Sequence, residues 1–151
     1  LGIAMQMTNI ARDVYEDAKM NRIYLPSDWV ANLDINMLNG KKNIEKFQEV
    51  KISQAIHRLI NLSEEFYING FAGLKYIPIK TRLAIFIAAN IYRGIGLKIK
   101  KRGRMYVKNR VYLNYFEKTL ITLRSILTFS FLSFSNYKYK KIRDVLPNEN
   151  L

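Results

Sequence analysis

The sequence contains no cysteine, and its 151 residues include one histidine, His57. Without cysteine the chain has no disulfide framework and no thiolate chemistry, and one histidine excludes a multi-histidine zinc site. The longest apolar runs, 83–91 and 126–134, are about half of the roughly 20 residues that a membrane-spanning helix needs. We therefore expect no membrane span. The chain starts with Leu1, and no basic-then-apolar leader is visible, so we expect a fragment without a signal peptide.

Proline and glycine are scarce, at 3 and 7 residues. Apolar residues recur at spacings of three and four, which predicts helices and gives strands little support. The predicted fold class is therefore all-α. A hydrophobic content of 49% suffices for one sizeable core. We see no internal repeat or linker, so we predict one domain over residues 1–135, followed by a basic, flexible tail over 136–151.

The apolar spacing predicts four main helices. The first runs to about Lys19 and stops at a turn around Asn21. A short helix over 26–29 and a loop over 32–43 lead to a long helix over about 44–69. The next opens at Pro78, is buried on nearly all sides over 83–92 and is interrupted by two glycines, Gly94 and Gly96. The last is amphipathic and has one apolar stripe of seven residues: Leu113, Phe116, Leu120, Leu123, Leu127, Phe131 and Phe134.

Positive charge is concentrated in the second part of the chain. Residues 1–65 hold 8 basic and 9 acidic side chains, whereas residues 66–151 hold 17 basic and 3 acidic ones, and the net charge is +13. Such a field suits diphosphate substrates, anionic lipid headgroups or nucleic acid, and charge alone does not choose among them. A Lys-, Ile- and Asn-rich composition inherited from a biased genome also explains part of the excess.

The first helix carries a polar stripe. At about 100° per residue, Gln6, Asn9, Asp13 and Asp17 share an arc of roughly 80°, and apolar residues lie beside it. Two carboxylates and an amide oxygen at a half-buried edge suit a hard cation such as Mg²⁺, which accepts oxygen ligands and keeps positions open for water or phosphate. The plain alternative is a solvated helix face, because Asp-x-x-x-Asp is a short and frequent pattern.

Two segments resemble a known family. LGIAMQMTNIARDVYEDAKMNRIYLP, at residues 1–26, is similar to the second aspartate-rich segment of squalene and phytoene synthases, LGxAxQLTNILRDVxEDxxxGRxYLP. Ala11 replaces Leu, and Asn21 replaces a turn glycine but tolerates a left-handed backbone. FYINGFAGLKYIPIKTRLAIFIAANIYRGIGLKIKKRG resembles a later block of the family. Its IYRGIGLKIKKRG end, followed by Arg110 and Lys118, is most similar to bacterial phytoene synthases, and the resemblance covers about residues 1–125.

The resemblance implies the C-terminal half of a helical bundle of the isoprenoid synthase type. It implies head-to-head condensation of two geranylgeranyl diphosphates, through a cyclopropyl diphosphate, to phytoene with release of diphosphate, a step of carotenoid biosynthesis. The implied cofactor is Mg²⁺, with Mn²⁺ as an alternative. Phytoene synthases use no NADPH, whereas squalene synthases finish with hydride from it.

The resemblance also assigns residues. Asp13 and Asp17 are the implied catalytic residues, and with Asn9 they are the implied metal ligands. Gln6 and Arg12 would lie beside them in the diphosphate site. The implied later substrate contacts are Tyr92, Arg110 and Lys118. The alternatives are an ordinary core tyrosine for Tyr92 and a solvated basic face for the two cations, because seven basic residues crowd 98–110.

The expected partners follow from the same resemblance and from the charge. The family needs a first aspartate-rich segment, which this chain lacks, so we expect the missing N-terminal half as a partner and no catalysis without it. We expect a cytoplasmic enzyme, peripherally associated with the inner membrane through Lys98, Lys100, Lys101, Arg102 and Arg104, and no nucleic-acid partner. Three alternatives stay open. They are a squalene or dehydrosqualene synthase acting on farnesyl diphosphate, a non-catalytic relative, and a basic module that binds membranes or nucleic acid.

Overall fold

The computed structural model describes residues 1–30, 33–103 and 110–131. These residues form five α-helices and two 3-10 turns, with no strand among them, which confirms the all-α prediction. The helices are α1 (Gly2–Lys19), α2 (Ile35–Leu38), α3 (Lys46–Gly73), α4 (Ile79–Arg102) and α5 (Tyr115–Phe131), and the turns are Ser27–Trp29 and Leu74–Tyr76. The predicted tail over 136–151 lies outside the described residues.

Helix α1 ends as predicted, for a local reason. Asn21 has a positive φ of 58°, the left-handed conformation that asparagine tolerates better than most residues. The Asn21 N–H donates to the Ala18 carbonyl, and the Arg22 N–H donates to the Asp17 carbonyl. These two bonds form a Schellman motif, which satisfies carbonyls that the helix end leaves unpaired. The turn therefore starts directly after the polar stripe.

Helix α3 starts and ends later than predicted. Its N-terminus carries a capping box in which the Glu45 side chain accepts from the Gln48 N–H and the Gln48 side chain accepts from the Glu45 N–H. This reciprocal pair places the first helical residue at Lys46, and the helix continues to Gly73. The predicted loop before it contains α2, because the Asp34 carboxylate accepts from the Asn36 N–H and caps a short helix.

Small residues let α1 pack closely on α3 and α4. Ala4, Ala11 and Ala18 of α1 are fully buried, and α1 contacts both longer helices. One core cluster contains the α3 residues Ile52, Ile56 and Ile60. A second cluster, where α1, α3 and α4 meet, includes Ala4, Tyr67, Phe71, Leu74, Phe86 and Ala89. The two clusters therefore follow one another along α1, with Ala4 in the second cluster and Ala11 and Ala18 in the first.

The prediction that Gly94 and Gly96 interrupt α4 was wrong. The helix continues through both glycines, and both lie at close helix contacts. A Cβ atom on Gly96 would lie 3.3 Å from Cδ1 of Ile60, and one on Gly94 would lie 2.7 Å from Cδ1 of Ile121. The packing that the missing side chains allow offsets the helix cost of glycine, which is about 1 kcal/mol per residue.

The prediction that the 83–92 segment is buried on nearly all sides was also wrong. In the 83–92 segment of α4, Phe86 and Ala89 are buried, Ala84 is exposed and the others are half-buried. The predicted stripe of α5 faces outward, because the opposite side of that helix packs on α4. Of the seven stripe residues, Leu113 is buried ahead of α5, Phe134 lies outside the described residues and the other five are exposed. Among the described helices none is long and apolar enough to cross a membrane.

Candidate functional site

The polar stripe of α1 lies at a half-buried edge, as predicted. Asn9, Asp13 and Asp17 are half-buried, and Gln6 is exposed one turn earlier. The side-chain oxygen of Asn9 is buried and has no hydrogen-bond partner among the described residues. A buried acceptor without a partner costs free energy, and a cation or a donor supplied by a ligand would satisfy it.

Two arginines hold the Asp13 carboxylate. Arg12 donates from Nε to Oδ1 at 2.9 Å and from a terminal nitrogen to Oδ2 at 2.6 Å. Nε of Arg110 lies 2.7 Å from the same Oδ1. The N–H of Arg110 is not aligned for a hydrogen bond, so this contact is an ion pair. Asp13 thus links α1 to the segment that precedes α5.

The charges around Asp13 also act on Asp17. Burial raises the pKa of Asp17 above its usual value, and the negative charges of Asp13 and Glu16 raise it further. Arg22 and Arg110 act in the opposite direction. Two carboxylates that repel each other at a partly desolvated edge attract a cation. Arg110 acts on both carboxylates, since it forms an ion pair with Asp13 and its charge lowers the pKa of Asp17.

The donor atoms of this stripe are of the kind that Mg²⁺ accepts. Over residues 1–30, 33–103 and 110–131 no cluster of three His, Cys, Asp or Glu side chains suits a metal. A metal site here would therefore need a further oxygen beside the two aspartates, and the unpartnered oxygen of Asn9 is the candidate. Carboxylate and amide oxygens are the ligands that Mg²⁺ prefers, and the remaining positions would be left for water or phosphate oxygens.

The three later residues of the predicted site do not all meet the stripe. Arg110 does, through Asp13. Tyr92 is half-buried and packs against the second core cluster, which leaves its predicted substrate contact untested. Lys118 is exposed, with its ammonium 5.8 Å from the centre of the Tyr115 ring. The structure thus brings together Asn9, Arg12, Asp13, Asp17 and Arg110.

Sequence reasoning missed a polar pair in the core beneath the site. Thr8 is fully buried, and its hydroxyl bonds to the Ala4 carbonyl at 3.0 Å and to the Tyr67 hydroxyl at 3.1 Å. Burial raises the pKa of Tyr67 to about 12, so the phenol stays protonated. The pair fixes α1 to α3 directly beside Asn9. No local pattern marks it, because the partners are 59 residues apart.

The chain matches known proteins over most of its length. The family model described as squalene/phytoene synthase matches residues 1–117. The chain is 37% identical over 103 residues to a phytoene synthase of Pseudescherichia vulneris, covering 68% of the chain and 32% of that protein. It is 37% identical over 114 residues to one of Cereibacter sphaeroides, covering 74% of the chain and 31% of that protein.

A fungal relative matches a longer part of the chain at lower identity. The bifunctional lycopene cyclase/phytoene synthase of Phycomyces blakesleeanus is 28% identical over 130 residues, which cover 85% of the chain and 21% of that protein. No solved structure matches the chain. The chain spans about a third of the length of the bacterial phytoene synthases that it matches. The family match over residues 1–117 and the all-α architecture lead to one conclusion: the chain belongs to the squalene/phytoene synthase family.

Proposed function

We propose that the protein takes part in a phytoene-synthase-type prenyl transfer, the head-to-head condensation of two geranylgeranyl diphosphates to phytoene through a cyclopropyl diphosphate. The observation that carries the proposal is the half-buried row of Asn9, Asp13 and Asp17 with two guanidinium groups at Asp13. Similarity to bacterial phytoene synthases supports the choice of reaction and of substrate.

The row of oxygens would hold Mg²⁺, with Asn9, Asp13 and Asp17 as ligands. When bound, the metal ion would offset negative charge on the diphosphate group as it leaves. The chain itself supplies the rest of the site. The half-buried edge keeps part of the surrounding water away, which strengthens every charge interaction there. The Thr8–Tyr67 pair holds α1 in place, so the three ligand oxygens keep their spacing.

Arg12 and Arg110 are the residues that we assign to the diphosphate. Both guanidiniums lie at the carboxylate where the metal ion would bind. A planar guanidinium matches the oxygens of a phosphate group and remains charged at every pH of interest. With a metal ion bound at Asp13, the guanidiniums of Arg12 and Arg110 would lie beside the leaving diphosphate and would stabilise the charge that develops on it. Gln6, exposed one turn away, and Lys118 are assigned further contacts with the substrate.

Catalysis on this proposal also needs a second group of carboxylates. The described residues contain one aspartate-rich row, and the bacterial relatives are about three times as long as the matched part. We therefore propose that the missing part of the relatives, with a first aspartate-rich segment, completes the cavity. The present chain by itself is expected to form no product.

The test is complementation. The chain is co-expressed with the part of the Pantoea ananas 15-cis-phytoene synthase that the chain does not match. The co-expressed proteins are then supplied with Mg²⁺ and either a fifteen-carbon or a twenty-carbon prenyl diphosphate. Phytoene from the twenty-carbon substrate supports the proposal. Squalene or dehydrosqualene from the fifteen-carbon substrate alone, or no product although a complex forms, contradicts it.

Matched variants in the same experiment test whether product formation depends on the proposed metal ligands. Asp13→Asn and Asp17→Asn should abolish product while the helical signal in circular dichroism stays unchanged, because they remove metal-facing charge and little packing. Glu16→Gln is the control, since it removes a neighbouring carboxylate of the same helix that the proposal does not use. Equal activity in all three variants would contradict the site assignment.

A further inference from the structure

The chain contains two Asn-Gly pairs, Asn39–Gly40 and Asn69–Gly70. In such a pair the backbone nitrogen of the glycine can attack the amide carbon of the asparagine side chain, because no Cβ on the glycine hinders the approach. The new carbon–nitrogen bond closes a succinimide ring, and ammonia leaves. Water then opens the ring to aspartate or isoaspartate. Both pairs have the same reacting atoms, so the structure around each pair decides whether it reacts.

The first pair lies in an exposed turn. Asn39 ends helix α2, and Gly40 is exposed with a positive φ of 82°. A Cβ atom on Gly40 would meet no other atom within 4 Å. The Gly40 N–H donates to the Met37 carbonyl at 3.4 Å, which is long for a hydrogen bond. Little therefore opposes the backbone rotation that brings the Gly40 nitrogen to the Asn39 side chain.

The next two residues favour the attack. The Lys41 N–H donates to Oδ1 of Asn39 at 3.2 Å, which withdraws electron density from the amide carbon and makes it more electrophilic. Lys41 and Lys42 also place two positive charges beside the turn. Positive charge favours loss of the Gly40 N–H proton and stabilises the negative charge that develops on the amide oxygen. Lys42 is already paired with Asp34 at 2.6 Å, so we assign this effect mainly to Lys41.

The second pair is held inside helix α3. Asn69 and Gly70 are half-buried, and the helix continues to Gly73. In a helix interior the Gly70 N–H donates to the carbonyl four residues earlier, which fixes the nitrogen that would have to attack. A Cβ atom on Gly70 would lie 2.5 Å from Cγ of Leu1, so the backbone is closely packed there. Reaction at Asn69 would require the helix end to unwind.

We propose that Asn39 is a site of spontaneous deamidation and that α3 protects Asn69 from the same reaction. The product places a carboxylate in the cavity of about 420 Å³ that Lys19 of α1, Glu49 of α3 and the segment 37–44 line. Isoaspartate also lengthens the main chain by one carbon at the end of α2. As the protein ages, this turn therefore gains a negative charge and loses its regular backbone. The modification is independent of the proposed prenyl transfer.

The first experiment compares the two positions. The purified protein is aged at mildly alkaline pH, in native buffer and in concentrated urea, and peptide mapping by mass spectrometry follows aspartate and isoaspartate at both positions. In native buffer Asn39 should react at least tenfold faster than Asn69, because opening a helix interior costs free energy that an exposed turn does not require. In urea the two rates should become similar. Equal rates in native buffer, or the same ratio in urea, overturn the proposal.

Variants test the role of the neighbouring charge. Lys41→Gln should slow deamidation of Asn39 by about twofold to threefold, because it removes the positive charge beside the reacting amide. Lys46→Gln, at another exposed lysine, is the control and should leave the rate unchanged. Equal rates in the two variants overturn the role of Lys41. Asp13→Asn should deamidate as the parent protein does, so failure of the proposed metal site and failure of this modification are distinguishable.

A last comparison measures the effect of isoaspartate on the turn. Asn39→Asp supplies the aspartate product with a normal main chain, whereas the aged protein contains isoaspartate as well. The aged protein should therefore unfold at a lower urea concentration than Asn39→Asp. Asn39→Gln, whose longer side chain would have to close a larger ring, should keep its original unfolding midpoint after the same ageing. A midpoint that falls equally in aged Asn39→Gln would place the damage elsewhere and overturn the effect assigned to this turn.

Discussion

At the scale of single residues, the arrangement at Asp13 combines two demands. A metal ion needs the carboxylate free, yet the structure pairs it with Arg12 and Arg110. Without a partner, the partly buried Asp13 carboxylate would be repelled by the nearby Asp17 carboxylate. The two guanidiniums reduce the free-energy cost of that repulsion. The same cations are in place for the diphosphate. Binding of metal and diphosphate together would therefore exchange one set of ion pairs for another.

Arg110→Gln tests this exchange. Mg²⁺ alone should bind several-fold more tightly to the variant, because Asp13 loses a competing cation. Inorganic diphosphate with Mg²⁺ should bind about tenfold more weakly, since a charge-assisted contact of about 1.5 kcal/mol is lost. Titration calorimetry measures both affinities. Arg58→Gln is the control, because Arg58 stacks on Trp29. If Mg²⁺ alone bound more weakly to Arg110→Gln, Arg110 would support the metal site instead of competing for it.

At the scale of elements, α5 depends on a few polar contacts at its start. Asn114 and Glu117 form a reciprocal cap, in which each backbone N–H donates to the other side chain at 2.7 Å. The Lys98 ammonium of α4 donates to both oxygens of the same Glu117 carboxylate. One side chain therefore both starts α5 and attaches it to α4. The contact of Gly94 with Ile121 lies one turn further along α5.

Glu117 should make the attachment of α5 dependent on pH. Its contacts with Lys98 and the Asn114 N–H lower the pKa of Glu117 below its usual value. The stabilisation is therefore present above the unfolded pKa, about 4.3, and is lost as the pH falls through the lower folded value. Glu117→Gln should reduce the unfolding free energy by about 0.5 kcal/mol at pH 7, because the amide keeps the bond to the Asn114 N–H and loses only the charge that attracts Lys98. The difference should be smaller near pH 3. Urea unfolding at both pH values measures this, and an equal loss at both would contradict the charge-based explanation.

At the scale of the whole molecule, charge is distributed unevenly. The second part of the chain carries 17 basic and 3 acidic residues, and the described ion pairs neutralise few of them. Like charges that are close together in the folded state oppose folding, and salt screens them. The excess charge should thus cost stability, which is consistent with a functional use for it in anion or membrane binding.

The salt dependence of stability tests this view. The unfolding free energy should rise between about 10 and 300 mM NaCl, over which the screening length falls from about 30 Å to below 10 Å. Lys101→Gln with Arg102→Gln should flatten the rise. Lys46→Gln with Lys51→Gln is the control, in the part of the chain where charges balance. A stability that falls with salt in the parent protein would show that attractive pairs dominate instead.

The sequence alone determined the features that depend on neighbouring residues. Helical periodicity defined α1, the polar row of Asn9, Asp13 and Asp17 follows from 3.6 residues per turn, and the turn at Asn21 follows from the left-handed conformation that asparagine tolerates. Tertiary structure decided what depends on distant residues. Arg110 contacts Asp13 although the two residues are 97 positions apart in the sequence. Helix α4 continues through two glycines because Ile60 and Ile121 pack against them. Helix α5 turns its apolar stripe outward because its other side packs on α4. Periodicity gives a helix its faces, but the packing of other helices decides which face is buried.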